Sequence, residues 1–223
     1  MTQPTRRFHL CFCLVFLLLA WLPLSANPAL AAPARLEDLH YRLSALIWQD
    51  AARVRLTLKR LGPTRFHAEV IGKTQGFIKF LSGNRRERME TEMVWRDQRL
   101  MPLVYREESR WRDKRSFKEY RFDYPHGRLE LWEWHAGKGL LKKWQTKLSG
   151  PIYDPLSAFY NCRLGIMGPT RQGQTVAIPG IPYPKPELME VRLGPETPAG
   201  RKAMLSLVNP VFHDSRGVVF AYV

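Results

Sequence analysis

The 223-residue chain is strongly basic, with 35 Lys+Arg against 20 Asp+Glu and a formal charge of +15. Its 45% hydrophobic content is enough for a packed core, which excludes a disordered polycation, and three cysteines are too few for a disulfide-stapled scaffold. It contains no Gly-rich phosphate loop, no Gly-x-Ser-x-Gly elbow and no zinc-ligand spacing, so the sequence points away from an enzyme and implies no cofactor or metal.

The chain begins with the three parts of a secretory signal in order. Arg6 and Arg7 precede an apolar run from Leu10 to Leu24, and the small-residue step Ala29-Leu30-Ala31 follows. The run is about 15 residues long and interrupted by Pro23, short of the roughly 20 residues a spanning helix needs. Residues 1–31 therefore read as a cleavable signal peptide cut after Ala31, and 32–223 as one β-rich periplasmic domain that is not an integral membrane protein. A twin-arginine signal fits less well, because Phe8-His9-Leu10 departs from that pattern and the run is very apolar. Cys11 and Cys13 fall within the signal, leaving Cys162 alone after cleavage. Losing Arg6 and Arg7 leaves about +13, a charge that attracts anions. Export makes nucleic acid the wrong anion; lipid headgroups and acidic envelope polymers are the ones such a protein meets.

Past the leader, apolar and polar residues alternate with period two between turn signals, the pattern of antiparallel strands with one covered face. Val54, Leu56 and Leu58 alternate with Arg55, Thr57 and Lys59; Gly62-Pro63-Thr64 turns, and Phe66, Ala68 and Val70 return. Met89, Thr91, Met93 and Trp95 form the next strand, and Arg96-Asp97-Gln98 leads into Leu103 to Arg110. Phe117 to Tyr124 turns through Pro125-His126-Gly127 into Arg128 to Trp134, where the switch from Leu129/Leu131 to Trp132/Trp134 predicts a bulge. Later strands are expected at Thr175 to Ile178, Leu188 to Leu193, Ala203 to Val208 and Gly217 to Val223.

One segment has helical spacing instead. Asp154 and Pro155 supply an N-cap and a first-turn proline, Leu156, Phe159, Tyr160 and Leu164 an apolar stripe, and Gly165 a stop. The expected fold is mainly β: a strongly bent antiparallel sheet or half-open barrel, with one short helix over about 154–164 covering an opening. A membrane-spanning barrel is rejected, because Arg, Lys and Glu occupy one face of most strands.

Several short segments, taken together, resemble a known family: Leu39-His40-Tyr41-Arg42, Thr74-Gln75-Gly76-Phe77, Leu100-Met101-Pro102-Leu103, Phe122-Asp123-Tyr124, Tyr153-Asp154-Pro155-Leu156-Ser157-Ala158-Phe159-Tyr160 and Glu196-Thr197-Pro198-Ala199-Gly200. In this order they resemble exported bacterial proteins of domain of unknown function 3108 over most of the mature chain. The resemblance implies a periplasmic, open β-barrel shape similar to lipoprotein carriers, and no reaction. Two departures from that pattern are the 182–186 Pro-Tyr-Pro-Lys-Pro run and an ending at Val223 ahead of the usual last strands. The second would leave an exposed edge.

His40, His67, His126, His135 and His213 are scattered, Cys162 reads as a buried inert thiol, and Ser157 as a first-turn hydroxyl satisfying backbone groups. Asp154 and Pro155 read as the structural cap of the helix. Trp95, Trp111, Trp132 and Trp134, with Trp144, are interleaved with Arg and Lys: either they fill the core between sheet and helix, as large aromatics routinely do, or they are the candidate lining of an apolar cavity with a positive rim, suited to an acyl chain bearing an anionic head. The expected function is an envelope protein binding an anionic lipid, lipoprotein or other amphiphile. The alternative is an interaction module that pairs with another envelope protein through an edge strand or basic face.

Overall fold

The computed structural model describes residues 34–45, 48–81, 83–168, 173, 175–181, 187–197, 200–207 and 218–221. The expected signal peptide, its cleavage site, His213 and the 182–186 run lie outside the described residues.

Eight strands form one antiparallel sheet in simple meander order: β1 (Ala34–Ala45), β2 (Trp48–Arg60), β3 (Arg65–Thr74), β4 (Arg86–Arg96), β5 (Arg99–Trp111), β6 (Lys114–Asp123), β7 (Arg128–His135) and β8 (Gly139–Lys147). Because β1 and β8 are not paired with each other, this wall is an open sheet rather than a closed barrel. The three hairpins expected from period-two alternation are present as β2–β3, β4–β5 and β6–β7. The alternation places Leu56, Leu58, Ala68, Met93, Tyr105, Tyr120, Phe122, Leu129 and Leu131 on one inner face, where they form a single buried cluster.

The predicted bulge lies at the expected step. Leu131 faces Trp144 but Trp132 faces Lys142, so Lys143 of β8 is the extra residue. A bulge in β8 does not invert β7, and Trp132 and Trp134 stay on the outer face with Glu130.

Helix α2 (Pro155–Arg163) lies against the inner face and is fastened at both ends. At its start the Asp154 carboxylate accepts the N–H groups of Leu156 (2.8 Å) and Ser157 (3.1 Å), and Thr91 of β4 donates its hydroxyl to the second carboxylate oxygen at 3.0 Å. Pro155 takes the first turn, where its missing N–H costs nothing. Near its end, Asn161 accepts the N–H of Leu100 (2.9 Å) and donates to the Leu100 carbonyl (2.8 Å), pairing with β5 much as a neighbouring strand would. Leu156 and Tyr160 complete the inner cluster.

Three features go beyond the sequence reading. A six-residue helix, α1 (Gly76–Leu81), connects β3 to β4, and β1 and β8 extend the wall beyond the hairpins read from the pattern. The later strands do not add to the wall. Instead β9 (Thr175–Gly180), β10 (Glu187–Thr197), β11 (Gly200–Leu207) and β12 (Val218–Ala221) make a second, four-stranded antiparallel sheet with β12 and β9 at its edges. Tyr153 joins this sheet to the segment before α2, through a bridge to Gly180 and an N–H donated to the Pro179 carbonyl at 2.8 Å. Met101, Tyr153, Ala158, Cys162 and Ile178 pack together at that seam.

Candidate functional site

In a meander the turns alternate between the two ends of the sheet. The β2–β3 and β4–β5 turns, the start of β1 and the end of α2 therefore meet at one end. There they enclose an open cavity of about 350 Å³, within the lower part of the roughly 300–1,000 Å³ range of small-molecule sites. Its apolar lining is Leu36, Leu58, Phe66, Trp95, Leu100 and Leu164. Trp95 is 40% exposed, so its ring forms part of the mouth.

Polar groups sit among these apolar ones. The Arg60 guanidinium lies 5.5 Å from the centre of the Phe66 ring, and Arg163 pairs with Glu37 at 3.0 Å. The other Glu37 oxygen and the Tyr160 hydroxyl are buried atoms with no hydrogen-bond partner among the described residues. Burial, reinforced by the charge of Glu37, holds the Tyr160 phenol well above its ordinary pKa, so it remains a donor at any physiological pH. Glu37 thus acts on both the Arg163 guanidinium and the Tyr160 phenol, a polar cluster beside the apolar cavity.

Of the four tryptophans proposed as a common lining, the structure brings only Trp95 to this cavity. Trp111 stands at the opposite end, with Arg85 5.9 Å from its ring. Trp132 and Trp134 are on the outer face, because they share the parity of Glu130 rather than that of Leu129 and Leu131. Trp132 is held by Arg121 (4.5 Å), by Lys142 (6.0 Å) and through its indole N–H by Glu130 (3.1 Å). Arg115 lies 5.8 Å from the Trp134 ring. Trp144 packs against the inner cluster. The residues the sequence reading missed, Glu37, Arg60, Phe66, Leu100 and Arg163, come from five separate elements, and of the helix stripe only Tyr160 and Leu164 signalled the place.

The remaining candidates have structural surroundings. Asp154 and Ser157 are buried in the helix cap, and burial raises the Asp154 pKa against the hydrogen bonds that lower it. Cys162 is buried and its thiol is pushed up to about 11, far from a nucleophile's range. His40 faces Asp38 (3.2 Å), His67 faces Glu90 (4.0 Å) and His126 faces Asp123 (2.8 Å). Among the described residues no three His, Cys, Asp or Glu side chains converge as a metal site would require, and no helix is long and apolar enough to cross a membrane.

On the outer face, charges interlock across strands. Arg106 reaches Glu119 (2.7 Å), Glu92 (3.2 Å) and Glu90 (3.3 Å), Arg88 reaches Glu69 (2.7 Å) and Glu90 (2.8 Å), and Arg121 reaches Glu119 (2.6 Å). These pairs hold Glu119 below the ordinary carboxylate range despite its burial.

No curated protein and no solved structure matches the chain. A family model described as a protein of unknown function, DUF3108, matches residues 38–193, a span from the first strand through α2 and into β10. The matched residues include most of the cavity lining and both fastenings of the helix, and the chain belongs to the DUF3108 family.

Proposed function

We propose that this protein is a non-enzymatic component of the bacterial envelope, exported to the periplasm, that holds an amphiphile in the cavity at the end of its open sheet. The observation that carries this reading is the composition of the cavity: an apolar lining of Leu58, Phe66, Trp95 and Leu100, with cationic Arg60 and the Arg163–Glu37 pair among the residues around it. An acyl chain would bury apolar surface against the lining at about 25 cal/mol per Å². The Arg60 guanidinium suits an anionic head. Export rests on Arg6-Arg7, the apolar run and the Ala29-Leu30-Ala31 step.

The test is native mass spectrometry, with lipid extraction, of the mature protein isolated from periplasm. A co-purifying phospholipid, lipopolysaccharide fragment or fatty acid is expected, and it should be lost from a Leu58→Trp variant in which the added ring fills the cavity. A protein free of lipid in every preparation, and unchanged in stability when lipids are added, would overturn the carrier reading and favour pairing through the edges β1 and β8.

A further inference from the structure

At the end of the wall opposite the cavity, the strand register lines up six cations. Arg42 of β1 faces Arg53 of β2, Arg53 faces Lys73 of β3, Lys73 faces Arg86 of β4, Arg86 faces Arg110 of β5, and Arg110 faces Arg115 of β6. All six are exposed and share the outer face. With strands about 4.8 Å apart, five steps make a row roughly 24 Å long. Like charges placed directly opposite one another destabilise a sheet. Glu108 compensates Arg110 (2.6 Å) and Arg115 (2.7 Å), but Arg53, Lys73 and Arg86 have no ion pair among the described residues. That uncompensated stretch from Arg53 to Arg86 opposes folding and suits an anionic partner outside the molecule.

The same end exposes aromatic rings. Phe80 of α1 is 79% exposed and Trp134 of β7 is 46% exposed. Arg112 donates its backbone N–H to the Gly83 carbonyl at 2.8 Å, tying the β5–β6 turn to the segment after α1, so these tips form a joined rim. Arg112 and Lys138 in the turns and Lys114 at the start of β6 add further exposed cations.

We propose that this end of the wall docks on an anionic lipid surface, with the cationic row meeting headgroup phosphates and Phe80 and Trp134 entering the interfacial layer. A row perpendicular to the strands near the turn tips approaches a flat surface together when the sheet stands end-on. Attraction between basic side chains and anionic headgroups acts within a Debye length, which the row's position near the tips satisfies. Exposed aromatics at the tips favour a lipid surface over a soluble polyanion, since a Trp ring settles at headgroup level and a Phe ring gains by entering the apolar side of the interface. This surface is separate from the cavity, and the proposal stands whether or not the cavity holds a ligand.

The experiment is co-sedimentation of the purified mature protein with vesicles of phosphatidylglycerol and phosphatidylcholine, against phosphatidylcholine alone. Binding is expected only to the anionic vesicles and is abolished near 1 M salt, where the Debye length falls to about 3 Å. The triple variant Arg53→Gln, Lys73→Gln, Arg86→Gln should bind at least about tenfold more weakly, and Phe80→Ser several-fold more weakly. A triple at the cavity end, Lys59→Gln, Arg65→Gln, Lys147→Gln, removes the same charge and should bind as the unaltered protein does. Circular dichroism and thermal melting establish that each variant folds, and the single Arg86→Gln variant gives a smaller loss of binding should the triple unfold. Equal binding to neutral vesicles, or equal loss from the two triples, overturns the proposal. Row-dependent binding to heparin without binding to vesicles would overturn it too, assigning the row to a soluble polyanion.

Discussion

On the outer face of the wall, Arg106 is bonded to three glutamates; four residues further along the same strand, Arg110 stands in a row of six cations. Both places are built from the same kinds of side chain on the same surface. In the middle of the wall Glu69 also stands directly opposite a like charge, Glu90, but Arg88 bonds both and Arg106 bonds Glu90, Glu92 and Glu119, so the network satisfies itself. At the end, the register sets cation against cation. Charge that compensates itself serves the fold, whereas charge that repels itself is retained against the interest of the fold, and that difference separates a structural surface from a binding surface.

The contrast can be calibrated against the helix fastening, where the largest loss is expected. Asp154→Ala removes the cap of α2 and leaves the Thr91 hydroxyl only its longer bond to the Val104 carbonyl at 3.3 Å; it should cost about 2 kcal/mol in urea unfolding. Next comes Arg106→Ala, which leaves Glu90 and Glu92 without it and Glu119 with Arg121 alone, at about 1–2 kcal/mol. Arg86→Gln is the opposite case: relief of repulsion should stabilise the protein by about 0.2–1 kcal/mol. A destabilised Arg86→Gln protein would break the comparison, because the row would then be part of the architecture.

The smallest effect is one of pH. The hydrogen bonds from Arg55, with the charge of Arg35 nearby, hold Asp38 at about 2, below its ordinary 3.8. A carboxylate with a lowered folded-state pKa adds stability above 3.8 and loses it as pH falls through about 2. Titration of the Asp38 carboxyl by NMR should show that low midpoint, and an Arg55→Gln variant should move it back toward 3.8.

Strands were legible where alternation ran unbroken and hidden where a bulge interrupted it. In β1 the register shifts between Arg35 and Glu37, so Leu36 falls out of step with Leu39 and Tyr41. In β8 the extra Lys143 separates Leu141 from Trp144 by three positions instead of two. Both strands therefore lack a clean period of two. The Asp154-Pro155 start and the Gly165 stop were legible because each acts locally on the backbone. The tryptophans misled for a related reason: a bulge was correctly expected at Trp132, but whether it inverts β7 depends on which strand carries the extra residue, and that is a property of the pair. The cationic row is harder still to read, since Arg42, Arg53, Lys73, Arg86, Arg110 and Arg115 are irregularly spaced along the chain and become neighbours only through five pairing registers.

Cys162 gives the protein an internal clock. Its thiol is packed against the seam between α2 and β9, and with a pKa near 11 it reacts only when that seam opens. The same helix carries Tyr160 and Arg163 to the cavity, so the rate at which a thiol reagent finds Cys162 in the folded protein should report how often α2 parts from its seam with β9. A bound amphiphile that bridges helix and sheet would slow that clock.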